Sequence, residues 1–325
     1  MGTGQSTRSE AEPWGPSTKE GEKRVAVITG GNAGLGFECA KQMLVQGYQV
    51  VLACRNPQKA TAAVAQLQQL SPDNQDVSSF ICDVSSLKSV NAFASEYLSD
   101  ASRKIHVLCL NAGIMMGSPR LSEDGFDLQL ATNVLGHFHL VNLLRDRLVK
   151  SAPARIIHVS SIAARFGHVY FEDTNFLAQR QQNQYNSLQM YQQTKLMSVI
   201  LSRELAHRLE GTGVTSNSLE PGIVKTSLSE GITDDPDMKR RLENGVSVEE
   251  GVKTHVHLAT SDEVSGVTAQ HWEKSRIISQ GFQKFKYLIA AHDLRASVGP
   301  RLWKHLEAML EPKLAALSVG ETKEE

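Results

Sequence analysis

The sequence predicts one α/β domain, a doubly wound and mostly parallel sheet of seven strands with helices on both faces. Three observations lead there. Apolar runs of strand length alternate with amphipathic helical stretches, the runs are apolar throughout rather than at every second residue, and a glycine-rich turn follows the first run directly. Runs apolar on both sides belong to strands covered on both faces, the usual condition of a parallel sheet. Parallel neighbours need crossovers, and right-handed ones leave a ligand crevice beyond the carboxyl ends of the strands. With the glycine turn at the first such end, the architecture is of the Rossmann type.

The elements follow in order. Strand-like runs fall at Val25 to Thr29, Val50 to Cys54, Ser79 to Cys82, Ile105 to Leu110, Ile156 to Ser160 and Val214 to Leu219, with a seventh near Val267 to Trp272. Helical patterns lie between them at Leu35 to Gln46, Pro57 to Leu70, Leu87 to Leu98, Phe126 to Lys150 and Leu188 to Leu209. Asn56-Pro57 is the clearest start, since a capping acceptor precedes a proline whose missing N–H costs nothing at the first helical position. Ser227 to Gly245 reads as a small helical flap, Ser247 to Ala259 as a further helix, and Pro300 to Leu310 as a last helix docked by Leu302, Leu306 and Leu310. Residues 1–22, polar and aperiodic, read as a disordered arm, 23–317 as the folded domain and 318–325 as a tail.

Composition narrows the function. With 34 basic and 35 acidic residues the formal charge is -1, which gives no field to gather nucleic acid, so small-molecule chemistry is expected. Cys39, Cys54, Cys82 and Cys109 show no CxxC spacing, and the His137/His139 and His255/His257 pairs point to different helix faces, so no metal site is expected. No run approaches the roughly 18 apolar residues of a membrane span, and the polar start is not a secretory signal, so the expected location is cytoplasmic. Met1-Gly2-Thr3-Gly4-Gln5-Ser6 does satisfy the N-myristoylation pattern. Acylated at Gly2, the chain would make reversible peripheral membrane contact; otherwise the arm is simply disordered.

The turn after the first strand reads Thr29-Gly30-Gly31-Asn32-Ala33-Gly34-Leu35-Gly36 and runs into a helix. Such a loop brings backbone N–H groups to a pyrophosphate at a helix N-terminus. No Gly-Lys-Ser/Thr follows, which removes a phosphoryl-transfer loop. About 20 residues on, where an acid would bind a ribose 2′-hydroxyl, the chain has Ala53-Cys54-Arg55-Asn56. A guanidinium there suits a 2′-phosphate, so NADP(H) is the expected cofactor, the alternative being that Arg55 is a solvated loop cation.

Tyr191 and Lys195, one turn apart on a helical segment, form the sole YxxxK in the chain, after Val159-Ser160-Ser161 and before Pro221-Gly222. Together with the glycine loop these residues resemble the short-chain dehydrogenase/reductase family and its TGxxxGxG and YxxxK motifs. The resemblance implies that Gly30, Asn32, Gly34, Leu35 and Gly36 cradle the cofactor and that Asp83-Val84 contacts its adenine. It further implies that Asn111-Ala112-Gly113 forms a turn against the cofactor and that Pro221, Gly222, Val224 and Thr226 flank its nicotinamide side. Tyr191 is then the proton donor and Lys195 holds the nicotinamide ribose and favours the ionised phenol. Ser161 orients the substrate oxygen, with Ser160 in reserve, and Asn133 supports a proton relay to the lysine. Leu110 and Glu220 depart from common family residues.

Ala53-Cys54-Arg55-Asn56, Leu135-Gly136-His137-Phe138 and Ala152-Pro153-Ala154-Arg155 are most similar to the branch holding retinol dehydrogenases and the WW-domain oxidoreductase. The resemblance implies an NADP(H)-dependent oxidoreductase of a lipophilic aldehyde, ketone or retinoid-like carbonyl or alcohol, associating as a homo-oligomer. Met115, Met116, Phe166, Tyr170 and Phe176 are candidates to line an apolar pocket. The competing reading is an NADP(H)-binding sensor or interaction protein with little turnover, which would need the loop but not the Ser161, Tyr191 and Lys195 set.

Overall fold

The computed structural model describes residues 14–18, 21–115, 118–226, 240, 243–278 and 298–321. Strands β1 (Val25–Thr29), β2 (Gln49–Cys54), β3 (Val77–Ile81), β4 (Val107–Leu110), β5 (Ala154–Val159), β6 (Val214–Glu220) and β7 (His271–Glu273) pair in parallel. A two-residue β8 (Arg276–Ile277) returns antiparallel to β7, giving eight strands in the order β3-β2-β1-β4-β5-β6-β7-β8. The sheet therefore has one strand more than the seven expected. Lys274 and Ser275, both at positive φ (50° and 58°), make the hairpin turn. Neither is a residue that announces a turn of this kind, and two residues are too few to show a period.

Alternation along β1 explains the two cores. Val25 and Val27 enter one apolar cluster and Ala26 and Ile28 the other. Helices α3 (Leu87–Leu98), α4 (Gly136–Lys150), α5 (Ser187–Arg208) and α7 (Val298–Glu321) close the first face. On the second face lie α1 (Gly34–Val45), α2 (Pro57–Leu70) and α6 (Lys253–Thr260). The Asn56 side chain accepts from Lys59 N at 2.8 Å with Pro57 in the first turn, as the sequence predicts.

Three departures matter. The expected helix Phe126 to Lys150 is broken: Asp127 caps a turn at Leu128–Leu130, a π-helical turn follows at Ala131–Leu135, and only then does α4 begin. A Cβ on Gly136 would stand 1.7 Å from the Val84 carbonyl oxygen, so α4 starts in contact with backbone. The last helix extends beyond Pro300 to Leu310 at both ends, because its buried stripe is shorter than the helix that carries it. Within the expected arm, Trp14 is buried, donates from Nε1 to the Ala259 carbonyl oxygen at 2.8 Å, and lies between the Arg24 and Arg155 guanidinium groups. Most of the expected flap, 227–239, lies outside the described residues, as do Met116 and the Gly2 acylation motif.

Candidate active site

Strand order reverses between β1 and β4, which splays the loops after these strands and opens a crevice at their carboxyl ends. Gly30 (φ 65°) and Gly34 (φ 54°) take left-handed conformations there. A Cβ on Gly36 would lie 2.4 Å from both the Gly30 carbonyl oxygen and Asn111 Nδ2, so no side chain fits where the loop crosses β4. The N-cap of α1 is Ala33, whose side chain cannot cap, and the first turn holds no acid, which suits its N-terminal N–H groups to an anion. Leu35 is half-buried in that turn, and Asn32 is half-buried beside Gly31, whose N–H, like that of Asn32, reaches the Cys54 thiol. These features fit the pyrophosphate of a dinucleotide.

The rest of the crevice assembles around one hydroxyl. Thr29 Oγ1 accepts from Asn111 N at 2.9 Å and from Ala112 N at 3.0 Å, and Asn111 Nδ2 donates back to the Thr29 carbonyl oxygen at 2.9 Å. With both lone pairs used, the hydroxyl proton points to His137 Nε2 at 3.0 Å, nearer than the Cys109 carbonyl oxygen at 3.4 Å. His137 is thus the neutral, Nδ1-protonated tautomer, and burial holds its pKa down at about 4. Arg55 is exposed just past β2 and pairs with no carboxylate among the described residues. Asp83 follows β3, its Oδ1 accepting from Ser85 N at 2.9 Å and Ser85 Oγ at 2.7 Å, while Val84 is buried beneath Gly136.

At the other end, a Cβ on Gly113 would stand 3.3 Å from both Asn133 Oδ1 and Lys195 Nζ, which brings these three predicted residues together. Asn133 Oδ1 accepts from Ile114 N at 2.9 Å, and its Nδ2 donates to the Ile114 carbonyl oxygen and Thr194 Oγ1, both at 3.0 Å. Both of its amide protons and its oxygen hold the backbone after β4 against α5. The Thr226 methyl would lie 3.6 Å from a Cβ on Gly34, so the turn after β6 faces the glycine loop. Pro221 and Gly222 (φ 83°) form that turn, whereas the Val224 side chain is buried against Gly251 and offers only backbone to the crevice.

Tyr191 and Lys195 are buried on α5, with Nζ 5.6 Å from the ring centroid. Burial raises the phenol to about 12 despite its hydrogen bond with Ser161, which draws it down. Lys195 Nζ donates to the Val159 carbonyl oxygen at 3.0 Å, and burial lowers its pKa to about 8. In the chain itself desolvation is thus the larger influence on the phenol, and the opposing pull comes from Ser161 rather than from the ammonium. Ser161 stands at the end of β5, its Oγ accepting from Ala163 N at 3.2 Å. Ser160 is not a reserve: its hydroxyl is buried and donates to the Lys195 carbonyl oxygen at 2.7 Å.

Sequence reading missed Thr29, His137 and Gly136 as parts of the site, although each lies inside a segment it singled out; what was hidden is the contact between segments. His139 pairs with Asn91 at 2.7 Å, away from His137. Phe176 is fully buried and is core rather than pocket lining, and the half-buried Tyr170 packs on it at 5.3 Å. All four cysteines are buried and free, and the described residues hold no group that could bind a metal ion.

A model of the short chain dehydrogenase family matches residues 24–172. The chain is 39% identical over 264 residues to a mouse protein named retinol dehydrogenase 14, covering 77% of each. It is 40% identical over 205 residues to human retinol dehydrogenase 13, covering 63% of this chain and 60% of that protein. Among solved structures, an uncharacterised protein from Mycobacterium paratuberculosis aligns with a TM-score of 0.65 at 27% identity, over 90% of this chain and 96% of that one. The Pseudomonas aeruginosa RhlG/NADP active-site complex aligns at 0.63 and 22% identity, over 83% and 99%, a likeness of fold.

Proposed function

The chain belongs to the short-chain dehydrogenase/reductase family, in a retinol dehydrogenase-like branch, and on that premise we propose that it is an NADP(H)-dependent oxidoreductase of lipophilic aldehydes, ketones or the corresponding alcohols. The observation that carries the reading is the buried Tyr191, hydrogen-bonded to Ser161 and one helical turn from Lys195, in a fold whose glycine loop suits a dinucleotide. A bound nicotinamide would supply or accept hydride. In reduction, Tyr191 gives its proton to the carbonyl oxygen, and in oxidation it takes the proton back. Ser161 orients that oxygen through its hydroxyl. Lys195 replaces the proton on the phenol and holds the ribose next to it. Asn133 keeps Ile114 and Thr194, and with them Lys195, in register.

The exposed Arg55, which pairs with no carboxylate among the described residues, supports a cofactor with a 2′-phosphate. Solvent-exposed Ile162 and Phe166, on the turn after Ser161, and Leu188, one turn before Tyr191, support an apolar substrate. No helix among the described residues is long and apolar enough to cross a membrane. The test is NADPH oxidation against a panel of short and long aldehydes, ketones and retinaldehyde, run beside NADH. Turnover that rises with chain length and favours NADPH is expected. Cofactor binding with no turnover on any of these carbonyls would favour the sensor reading instead.

A further inference from the structure

We propose that the Arg165–Glu220 ion pair is a positioning device that ties the turn carrying Ser161 to the turn flanking the nicotinamide end of the crevice, and so sets the gap across which hydride passes. The inference rests on Ser161 and Tyr191 binding the carbonyl oxygen. Glu220 ends β6, directly before Pro221-Gly222, and is 1% exposed. Arg165 lies in the 3-10 turn Ile162–Phe166, which Ser161 caps. Its Nη2 bonds Glu220 Oε1 and reaches Glu273 Oε2 on β7 at 3.2 Å. One planar guanidinium therefore links the serine turn to two neighbouring strands.

Among the described residues, His271 and Arg203 are the other groups near Glu220, and neither ties it to the serine turn. His271 Nε2 stands 3.8 Å from Glu220 Oε2, but burial lowers the pKa of that imidazole and so disfavours its charged form, although Glu220 pulls the other way; Arg203 acts on the same imidazole from α5. Packing alone holds the serine turn weakly, since Ala164 is its one buried residue and Ile162 and Phe166 face solvent. Its far end is fixed on α5, where a Cβ on Gly167 would stand 2.5 Å from the Gln192 carbonyl oxygen. Arg165 supplies the second anchor, on the opposite side. A buried ion pair adds little stability over an apolar pair of the same shape, so its distinctive contribution is direction. Glu220 is also where the sequence departs from common family residues, and Arg165 accounts for it.

The test uses the full chain with Arg165→Gln, Glu220→Gln and the double variant, with Arg165→Lys as a milder change that keeps the charge. Amide hydrogen exchange is read on both turns, with and without NADPH. Glu220→Gln is expected to speed exchange across 161–167, and Arg165→Gln across 220–226, each in the turn not mutated. In carbonyl reduction each single variant is expected to lower kcat about 10-fold with cofactor affinity changed less than about twofold, and to raise the isotope effect from 4-deuterated NADPH. The double variant should be no worse than the poorer single, because one contact is being removed. Unchanged exchange in the opposite turn, or multiplied losses in the double variant, would overturn the proposal. A wild-type chain without turnover would instead count against the oxidoreductase reading, and the exchange data would still decide whether the two turns are tied.

Discussion

Lys195 Nζ stands 5.6 Å from the centroid of the Tyr191 ring, and burial drives the two groups in opposite directions, the phenol up to about 12 and the ammonium down to about 8. A lysine with a lowered pKa loses its proton early, so the cation that supports the phenol is lost as pH rises through about 8. In the reductive direction kcat/KM is expected to fall with one-proton slope above that pH. A pH–rate profile checks this, and Lys195→Met should remove the limb along with most of the activity. A profile flat to pH 10 would mean that Lys195 stays charged or takes no part.

Cofactor choice is assigned to Arg55. Arg55→Glu replaces a donor suited to a 2′-phosphate with a group that repels it, and NADPH affinity is expected to weaken at least about 10-fold while NADH affinity holds or improves. Fluorescence titration of both cofactors measures the ratio. An unchanged ratio would return Arg55 to the role of a solvated loop cation.

Gly136 is a packing constraint at the start of α4. With Val84 backbone 1.7 Å from a Cβ, Gly136→Ala cannot be relieved by a rotamer change, and a loss of about 3 kcal/mol or more in urea unfolding is expected. Gly15→Ala, where a Cβ meets nothing within 4 Å, is the control and should lie within about 0.5 kcal/mol of wild type.

Acid should destabilise the fold through histidines rather than carboxylates alone. Burial lowers His106, His137 and His255 to about 4 and His158 to about 3, from an ordinary 6.5. These rings are neutral in the folded chain and protonate in the unfolded one, so the stability they confer is complete above 6.5 and is lost as pH falls toward 4 and then 3. Each proton adds a slope of about 1.4 kcal/mol per pH unit in that window. Unfolding midpoints from pH 7 to 5 test the sign, and His158→Gln should flatten the curve by one proton's share. A midpoint that rises on acidification would contradict it.

Features carried by local chemistry were legible in the sequence. Asn56-Pro57 announced α2, the apolar runs announced the parallel strands, and Tyr191 with Lys195 stood one turn apart on a helix as expected. What escaped depends on contacts between distant segments. The π-helical turn at Ala131–Leu135 presents Asn133 to Ile114, a demand of tertiary packing that no 3.6-residue period announces. Trp14 looked like part of a polar arm because its partners, Arg24, Arg155 and Ala259, are far away in the chain. Ser160 and Ser161 are equivalent as letters, and what separates them is the α5 carbonyl that takes the Ser160 hydroxyl and the Tyr191 phenol that meets Ser161. Glu220 departs from common family residues, and the partner that explains it, Arg165, lies 55 residues away in the chain.

The central claim is that the buried Tyr191 hydroxyl is the proton donor to a carbonyl. Its most direct test is pre-steady-state oxidation of bound NADPH by an aldehyde in wild type and Tyr191→Phe, with NADPH affinity measured on both. The expected result is a fall of about 10³-fold or more in the hydride-transfer rate with cofactor affinity preserved. Transfer in Tyr191→Phe at the wild-type rate would contradict it.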